Sequence, residues 1–236
     1  IDNNTGNITE IRQYLRDGSF AAFNMDYDAY GNLKKITRPA NHKQQRMWYQ
    51  FGYDSVVHNY VTKVEDAFGY ARSSSYDFLF GEQLSTLSLN GEPMRYTLDS
   101  RGRTKTITGP YEMEANKLYT ISFEYFESAT VPYAITHHHD PEHKIDINTF
   151  TFMDGMGRPL QVKKQVALFA GKGVADNLAM VVSGKVIYDA FGRSTRKNYP
   201  VTEPLGPANN TLNPAPGSLM ETSTYDVMDR PISSIL

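Results

Sequence analysis

The sequence predicts an all-β fold: consecutive antiparallel hairpins that form a curved, twisted sheet. Three observations predict it. A turn signature built on Asp and Gly recurs along the chain. The composition is aromatic, with 16 Tyr and 12 Phe among 236 residues, and such side chains suit pleated, half-buried surfaces. Two further short turn signals, Asp17-Gly18 and Asn90-Gly91, each lie between strand-like runs.

The signature is an aromatic beside an Asp, two or three variable residues, then Gly, often followed by Arg or Asn. Its clearest copies are Tyr27-Asp28-Ala29-Tyr30-Gly31-Asn32 and Tyr188-Asp189-Ala190-Phe191-Gly192-Arg193. Asp154 with Gly157 and Asp99 with Gly102 keep the turn with the aromatic displaced or lost. Asp66 with Gly69 and Asp2 with Gly6 are weaker copies. Asp77 has its Gly81 one residue later, and Asp226 has Asp229 in place of Gly. An Asp at the first turn position accepts backbone N–H groups, and Gly takes positive φ without a steric penalty. A type I turn followed by a left-handed residue closes a short hairpin with a bulge. The copies are unevenly spaced, with Asp28 to Asp66, Asp77 to Asp99 and Asp99 to Asp154 all different, so hairpins joined by variable loops are expected.

In chain order, Ile8–Leu15 and Phe20–Tyr27 flank Asp17-Gly18 as a first hairpin. Residues 47–108 read as an unbroken meander, with Asn90-Gly91 as a two-residue turn between Leu84–Leu89 and Glu92–Leu98. Ala115–Phe126 and Phe150–Val166 are further strand candidates. Gly173–Val182 is the one helix candidate. Tyr199–Met220, with five prolines, reads as an irregular connector. We expect one array over residues 1–236, with a soft division near 127–149. The ends, Ile1-Asp2 and Ser234-Ile235-Leu236, look cut from a longer chain.

Composition narrows the function. A net charge of -2 and a pI near 6.3 argue against a phosphate-binding surface, so no nucleic-acid partner is expected. Cysteine is absent, which excludes disulfides, thiolate metal sites and a Cys nucleophile. No apolar run approaches the ~18 residues of a membrane helix.

Three constellations could carry chemistry. His137, His138, His139, Asp140 and His143 crowd seven residues. If that stretch is extended, His137 and His139 share a face, and Asp140 or His143 could complete a metal site with Glu142 as a base. A solvated polar loop beside Pro141 is the favoured reading. The turn aspartates could pair as in glycoside hydrolysis, but repetition at equivalent turn positions is the mark of a structural cap. Trp48 with Tyr49, and Tyr53 with Tyr60, could stack sugars; cross-strand packing is favoured instead. Ser73-Ser74-Ser75 forms no nucleophile elbow, and Gly171-Lys172-Gly173 is a tight turn rather than a phosphate loop. Asn-x-Thr sequons stand at Asn3, Asn7 and Asn209.

At residues 27–33 and 188–193 the chain resembles the YD-repeat, or Rhs-repeat, family, which includes bacterial Rhs proteins, insecticidal toxin-complex B and C components and the teneurin YD shell. The run from Phe150 through Asp154, Gly155, Gly157, Arg158 and Gln161 to Lys164 is similar to a segment of the toxin-complex B components. Pro132-Tyr133-Ala134 and the following histidines fit the same neighbourhood loosely. The resemblance implies a long sheet spiralling into a hollow shell around a C-terminal polypeptide, often a toxin. It implies partners in the other repeats and that enclosed polypeptide, and a secreted or cell-surface location. The self-cleaving aspartates of the family's core region have no match here. We therefore expect a non-catalytic shell segment with no cofactor. The alternatives are a carbohydrate- or receptor-binding β module and, behind it, a metal-dependent hydrolase at the histidines.

Overall fold

Each turn signature folds the chain back beside itself, so strands pair with their neighbours in sequence. The computed structural model describes residues 1–2, 4–169, 171–172, 177–213 and 219–236. The chain divides into two compact units, Ile1–Leu118 and Tyr119–Leu236.

The first unit is a meander of nine strands: β1 (Glu10–Tyr14), β2 (Phe20–Tyr27), β3 (Leu33–Ala40), β4 (Arg46–Tyr53), β5 (Val61–Asp66), β6 (Ala71–Tyr76), β7 (Gln83–Leu87), β8 (Pro93–Leu98) and β9 (Thr104–Thr108). Each is antiparallel to the next. A one-turn helix, α1 (Pro110–Glu114), follows.

The second unit contains β10 (Ile121–Phe126), β11 (Tyr133–Asp140), β12 (Ile145–Met153), β13 (Pro159–Leu168), β14 (Asn177–Val182), β15 (Val186–Tyr188), β16 (Ser194–Asn198), β17 (Val201–Pro204), β18 (Met220–Tyr225) and β19 (Pro231–Ile235). Strands β10 to β14 pair in sequence order, and β17 joins the far side of β14. Strands β15, β16, β18 and β19 form a separate sheet in that order.

The all-β hairpin expectation holds, with local corrections. The helix expected at Gly173–Val182 is not formed over 177–182: these residues are strand β14, whose Ala179, Met180 and Val182 are buried. Residues 173–176 lie outside the described part. Of Ala115–Phe126 only Ile121–Phe126 is a strand, because Gly109-Pro110 starts α1, proline's fixed φ suiting a first helical position. Phe150–Val166 is two strands with the Asp154 turn between them. The connector at Tyr199–Met220 contributes β17, ending at Pro204 on a strand that pairs on one side only, where proline is tolerated. Asn90-Gly91 is not a two-residue turn. The turn runs from Ser88 to Glu92, with Gly91 donating to the Ser88 carbonyl at 3.0 Å. Leu15 to Ser19 turns the same way.

The register shifts at the end of seven of the hairpins closed by aromatic-Asp or equivalent turns, though not at the Asp66 turn between β5 and β6. Asp26 faces Lys35 but Tyr27 faces Leu33, leaving Lys34 as an extra residue. The same one-residue bulge recurs at Tyr53, Tyr76, Leu98, Met153, Tyr188 and Tyr225. Bulges of this kind add local right-handed twist.

Burial differs between the units. In the first, Met25 is the one buried apolar side chain among the described residues, and Asp54 and Thr108 are the buried polar ones. In the second, Ile135, Phe152, Met180 and Val182 sit with buried Gln161 and Lys163. The register places Phe152 opposite Gln161 and Lys163 opposite Val182, on one face of β12, β13 and β14.

Candidate functional site: the turn edge and its tyrosine ladder

In a meander, alternate turns lie at the same end of the strands. In the first unit the turns after β2, β4, β6 and β8 begin at Asp28, Asp54, Asp77 and Asp99, and the Asp2 turn precedes β1. These aspartates are 26, 26, 23 and 22 residues apart. Within the first unit the turns at this end are thus near-regular, while the uneven spacing expected from sequence holds in the second, where Asp154, Asp189 and Asp226 lie 35 and 37 residues apart. Asp66 closes β5 to β6 at the opposite end, and Asp54 begins a turn outside the Asp-Gly signature. The Tyr53-Asp54 pair was its visible signal. No glycine follows it, and His58 takes the left-handed position with φ 57°.

The turn chemistry is the same each time. Asp28 Oδ1 accepts the N–H groups of Tyr30 and Asn32, both at 2.9 Å. Asp66, Asp99, Asp154, Asp189 and Asp226 accept from the residues two and four positions on. Asp77, whose Gly81 stands one residue later, accepts from Leu79 and Phe80. Gly31, Gly69, Gly81, Gly102, Gly157 and Gly192 all have positive φ. Asp54 caps the longest of these turns: its two oxygens accept five N–H groups, from Val56 to Tyr60, at 2.6–3.1 Å.

The Arg or Asn after the Gly now has a reason. Arg103, Arg158, Arg193 and Arg230 each return Nε to the Oδ2 of their own turn Asp at 2.7 Å, and Asn32 does so through its amide at 3.1 Å. Burial pushes the Asp99 and Asp189 carboxyls up, but the guanidinium and two backbone N–H groups hold them below the usual range. At Asp154 and Asp226 the backbone N–H of the arginine is the largest cause of the same depression. Asp54 is lowered furthest: burial opposes, and the backbone N–H groups overcome it.

The aromatic before the Asp has a reason too. Tyr27 donates its hydroxyl to the Ile8 carbonyl at 3.0 Å, and Tyr53 to Leu33 at 3.0 Å. Tyr188 donates to Pro159 at 3.1 Å, and Tyr225 to Ser194 at 2.8 Å. Every acceptor is the residue just after the preceding turn of the same kind. Where that turn ends in Arg, the arginine lies over the next tyrosine ring: Arg158 over Tyr188 at 4.4 Å and Arg193 over Tyr225 at 5.0 Å. At these four tyrosines the turns form ladder contacts from one repeat to the next, whereas Leu98 and Met153 stand in the tyrosine's place at the Asp99 and Asp154 turns.

The expected sugar platforms are placed on strands and on this ladder. Trp48 and Tyr49 are successive residues of β4 and point to opposite faces; Lys35 sits over the Trp48 ring at 4.6 Å. Tyr53 is a ladder residue, and Tyr60 stacks on Tyr76 at 5.0 Å.

His137, His138 and His139 are not in a solvated loop, whereas His143 does stand in the exposed turn beside Pro141. His137, His139 and Asp140 lie in β11, paired across to Asn148, Asp146 and Ile145; the cross-strand packing of an extended segment replaces the loop. His137 Nδ1 is 2.7 Å from Asn148 Oδ1, and its buried Nε2 lies 3.2 Å from Glu124 Oε1 without hydrogen-bond alignment. His139 meets Asp146 at 3.4 Å. His143 is in the turn beyond and pairs with Asp140 at 2.7 Å, which raises its pKa above the usual imidazole value. The three rings therefore make three separate pairs. Among the described residues, no group of three or more His, Asp or Glu side chains converges to hold a metal ion. Asn209 is buried, with its amide nitrogen on the Pro204 carbonyl and its oxygen on the Gly206 N–H, so that sequon is closed to modification in the folded chain. The sequon at Asn3 lies outside the described residues.

No family model matches the sequence, and no curated protein matches it. Solved structures do. The chain is similar to a TcdB2-TccC3-TEV crystal structure with a TM-score of 0.66 at 15% identity, over 96% of this chain and 16% of that one. A TcdB2-TccC3 structure without its hypervariable C-terminal region gives 0.64 at the same identity and coverage. A Photorhabdus luminescens Tc holotoxin pore gives 0.68, again at 15% identity, over 96% of this chain and 16% of that one. At that identity the likeness is one of fold. The chain spans about a sixth of the length of the chains it matches.

Proposed function

We propose that this chain is a non-catalytic wall segment of an encapsulating shell in a toxin-complex-like protein, secreted or presented at the cell surface. The observation that carries the proposal is the first unit. Nine strands in unbroken order hold one buried apolar side chain among the described residues, so this sheet is a single layer with two accessible faces, as a wall requires. A ligand-binding sandwich would bury one face of each sheet. The turn contacts support the same reading, because at Tyr27, Tyr53, Tyr188 and Tyr225 they fasten one repeat to another along the edge rather than through a deep core. Fold likeness to toxin-complex structures over 96% of the chain agrees with it. Among the described residues no helix is long and apolar enough to cross a membrane.

Electron microscopy of the complete protein that carries this segment tests the proposal. Hollow particles with density inside support a shell and an enclosed polypeptide. Solid particles, or an open sheet with no lumen, reject it.

A further inference from the structure

Between some neighbouring strands the pairing stops before the strands do. Strands β2 and β3 pair from Tyr27–Leu33 to Asn24–Thr37 and then part. Beyond that point Phe20–Phe23 stay paired to β1 and Ala40 to β4, while Pro39 has no N–H to continue the ladder. A guanidinium fills this fork. Arg46 reaches across β3 from β4. Its Nη2 donates to the Ala22 carbonyl at 2.9 Å and to Asn24 Oδ1 at 2.7 Å, and its Nε to the Arg38 carbonyl at 2.8 Å.

Strands β12 and β13 part in the same way. Their pairing runs from Met153–Pro159 to Thr149–Lys164, yet β12 begins at Ile145 and β13 continues to Leu168. Over those ends β12 stays with β11, and β13 with β14. Asn148 turns its N–H into the fork, onto Gln165 Oε1 at 3.4 Å. Val162 turns its N–H and carbonyl the other way, to Ser183. By alternation along each strand, Asp146 and Asn148 on one edge, and Gln165 and Ala167 on the other, point their backbone groups into the fork. The cavity there is about 490 Å³, walled by Ile145, Ile147, Val166 and Leu178, with Asp140 and His143 beside it. No arginine lines it among the described residues.

We propose that the β12–β13 fork binds the guanidinium of an arginine on a partner polypeptide. The Arg46 fork is the precedent: parted strands leave carbonyls on two facing edges, and one planar guanidinium donates to both. The lining suits the same side chain, whose alkyl stem packs on Ile145, Ile147 and Val166. Asp140, with Oδ2 2.7 Å from His143 Nδ1, places a carboxylate near the charge. The N–H groups on the same edges suit the backbone carbonyls that flank an arginine in a peptide, which a free guanidinium does not bring. The inference is independent of the shell reading.

The test titrates acetyl-Gly-Arg-Gly-amide into the full chain, followed by amide NMR. Saturable shifts are expected at Asp146, Asn148, Gln165 and Ala167, in the millimolar range that one side chain supports. The lysine counterpart binds at least about tenfold more weakly, because an ammonium does not bridge the two edges, and Asp140→Asn weakens the arginine peptide about threefold. Leu178 faces Ala167 across β13 and β14, so Leu178→Arg reaches into the fork from the neighbouring strand as Arg46 does. That variant should abolish the peptide shifts and slow amide exchange at Asp146 and Ala167 at least about tenfold, the factor of one charge-assisted hydrogen bond; Leu178→Met should match the parent. Absence of saturable shifts overturns the proposal. Equal binding by a norleucine peptide also overturns it, by making the cavity a site for apolar groups, as does unchanged peptide binding in Leu178→Arg.

Discussion

At the residue scale, the aspartate and the glycine of each turn do separate jobs that single substitutions distinguish. Gly31 and Gly192 both have φ +85°, a conformation that strains a β-branched residue. Gly31→Val and Gly192→Val should each lower stability by more than ~1 kcal/mol in chemical denaturation; no loss at either position would remove the left-handed turn from the account. The Asp140–His143 pair offers a second measurement. The hydrogen bond and charge of Asp140 raise the His143 pKa, so its NMR titration midpoint should lie above ~6.5 and return toward that value in Asp140→Asn. The sign follows: with Asp140 ionised this pair contributes fully below pH ~6.5, and the contribution fades as pH rises through the folded-state value.

At the scale of elements, β17 is held to the second unit by buried polar groups as well as by its pairing with β14. Lys163, with 2% of its side chain exposed, donates to Glu203 at 2.8 Å. Glu203 also accepts from the Asn213 amide at 2.5 Å, and Gln161 bonds the Asn213 backbone through both ends of its amide. Removing one partner strands a buried charge. Glu203→Gln should therefore cost about 3 kcal/mol, whereas Lys163→Met combined with Glu203→Leu should stay within about 1 kcal/mol of the parent. Denaturant midpoints of the single and double variants check this. Equal losses would mean the charge is not what matters.

For the whole molecule, the turn carboxylates set the acid response. Asp28, Asp54 and Asp99 in the first unit, and Asp140, Asp154, Asp189 and Asp226 in the second, are all held below the ordinary carboxylate value. A depressed folded-state pKa adds stability that is present above the unfolded value, near ~4, and lost as pH falls through the folded one. Thermal midpoints measured from pH 7 to pH 2 should stay high to about pH 4 and drop steeply below it. Asp54→Asn should lower the midpoint at pH 7 and flatten the drop, since one amide oxygen cannot replace two carboxylate oxygens accepting five N–H groups.

The sequence by itself determined the hairpin class and most turn positions, because Asp, Gly and their spacing act within five or six residues and need no distant partner. Asp28, Asp99, Asp154 and Asp189 were legible for that reason, and Asp54 was missed because His58 fills the place where a glycine was sought. The tertiary structure alone decided what lies across the strands. Nothing local says that Tyr188 reaches Pro159 across 29 residues, that His137 and His139 belong to a strand, or that Asn177–Val182 pairs into a sheet instead of coiling. These outcomes depend on register and on the neighbour that each face meets. Propensity along the chain cannot encode them, since it describes a residue's surroundings only as far as its own turn.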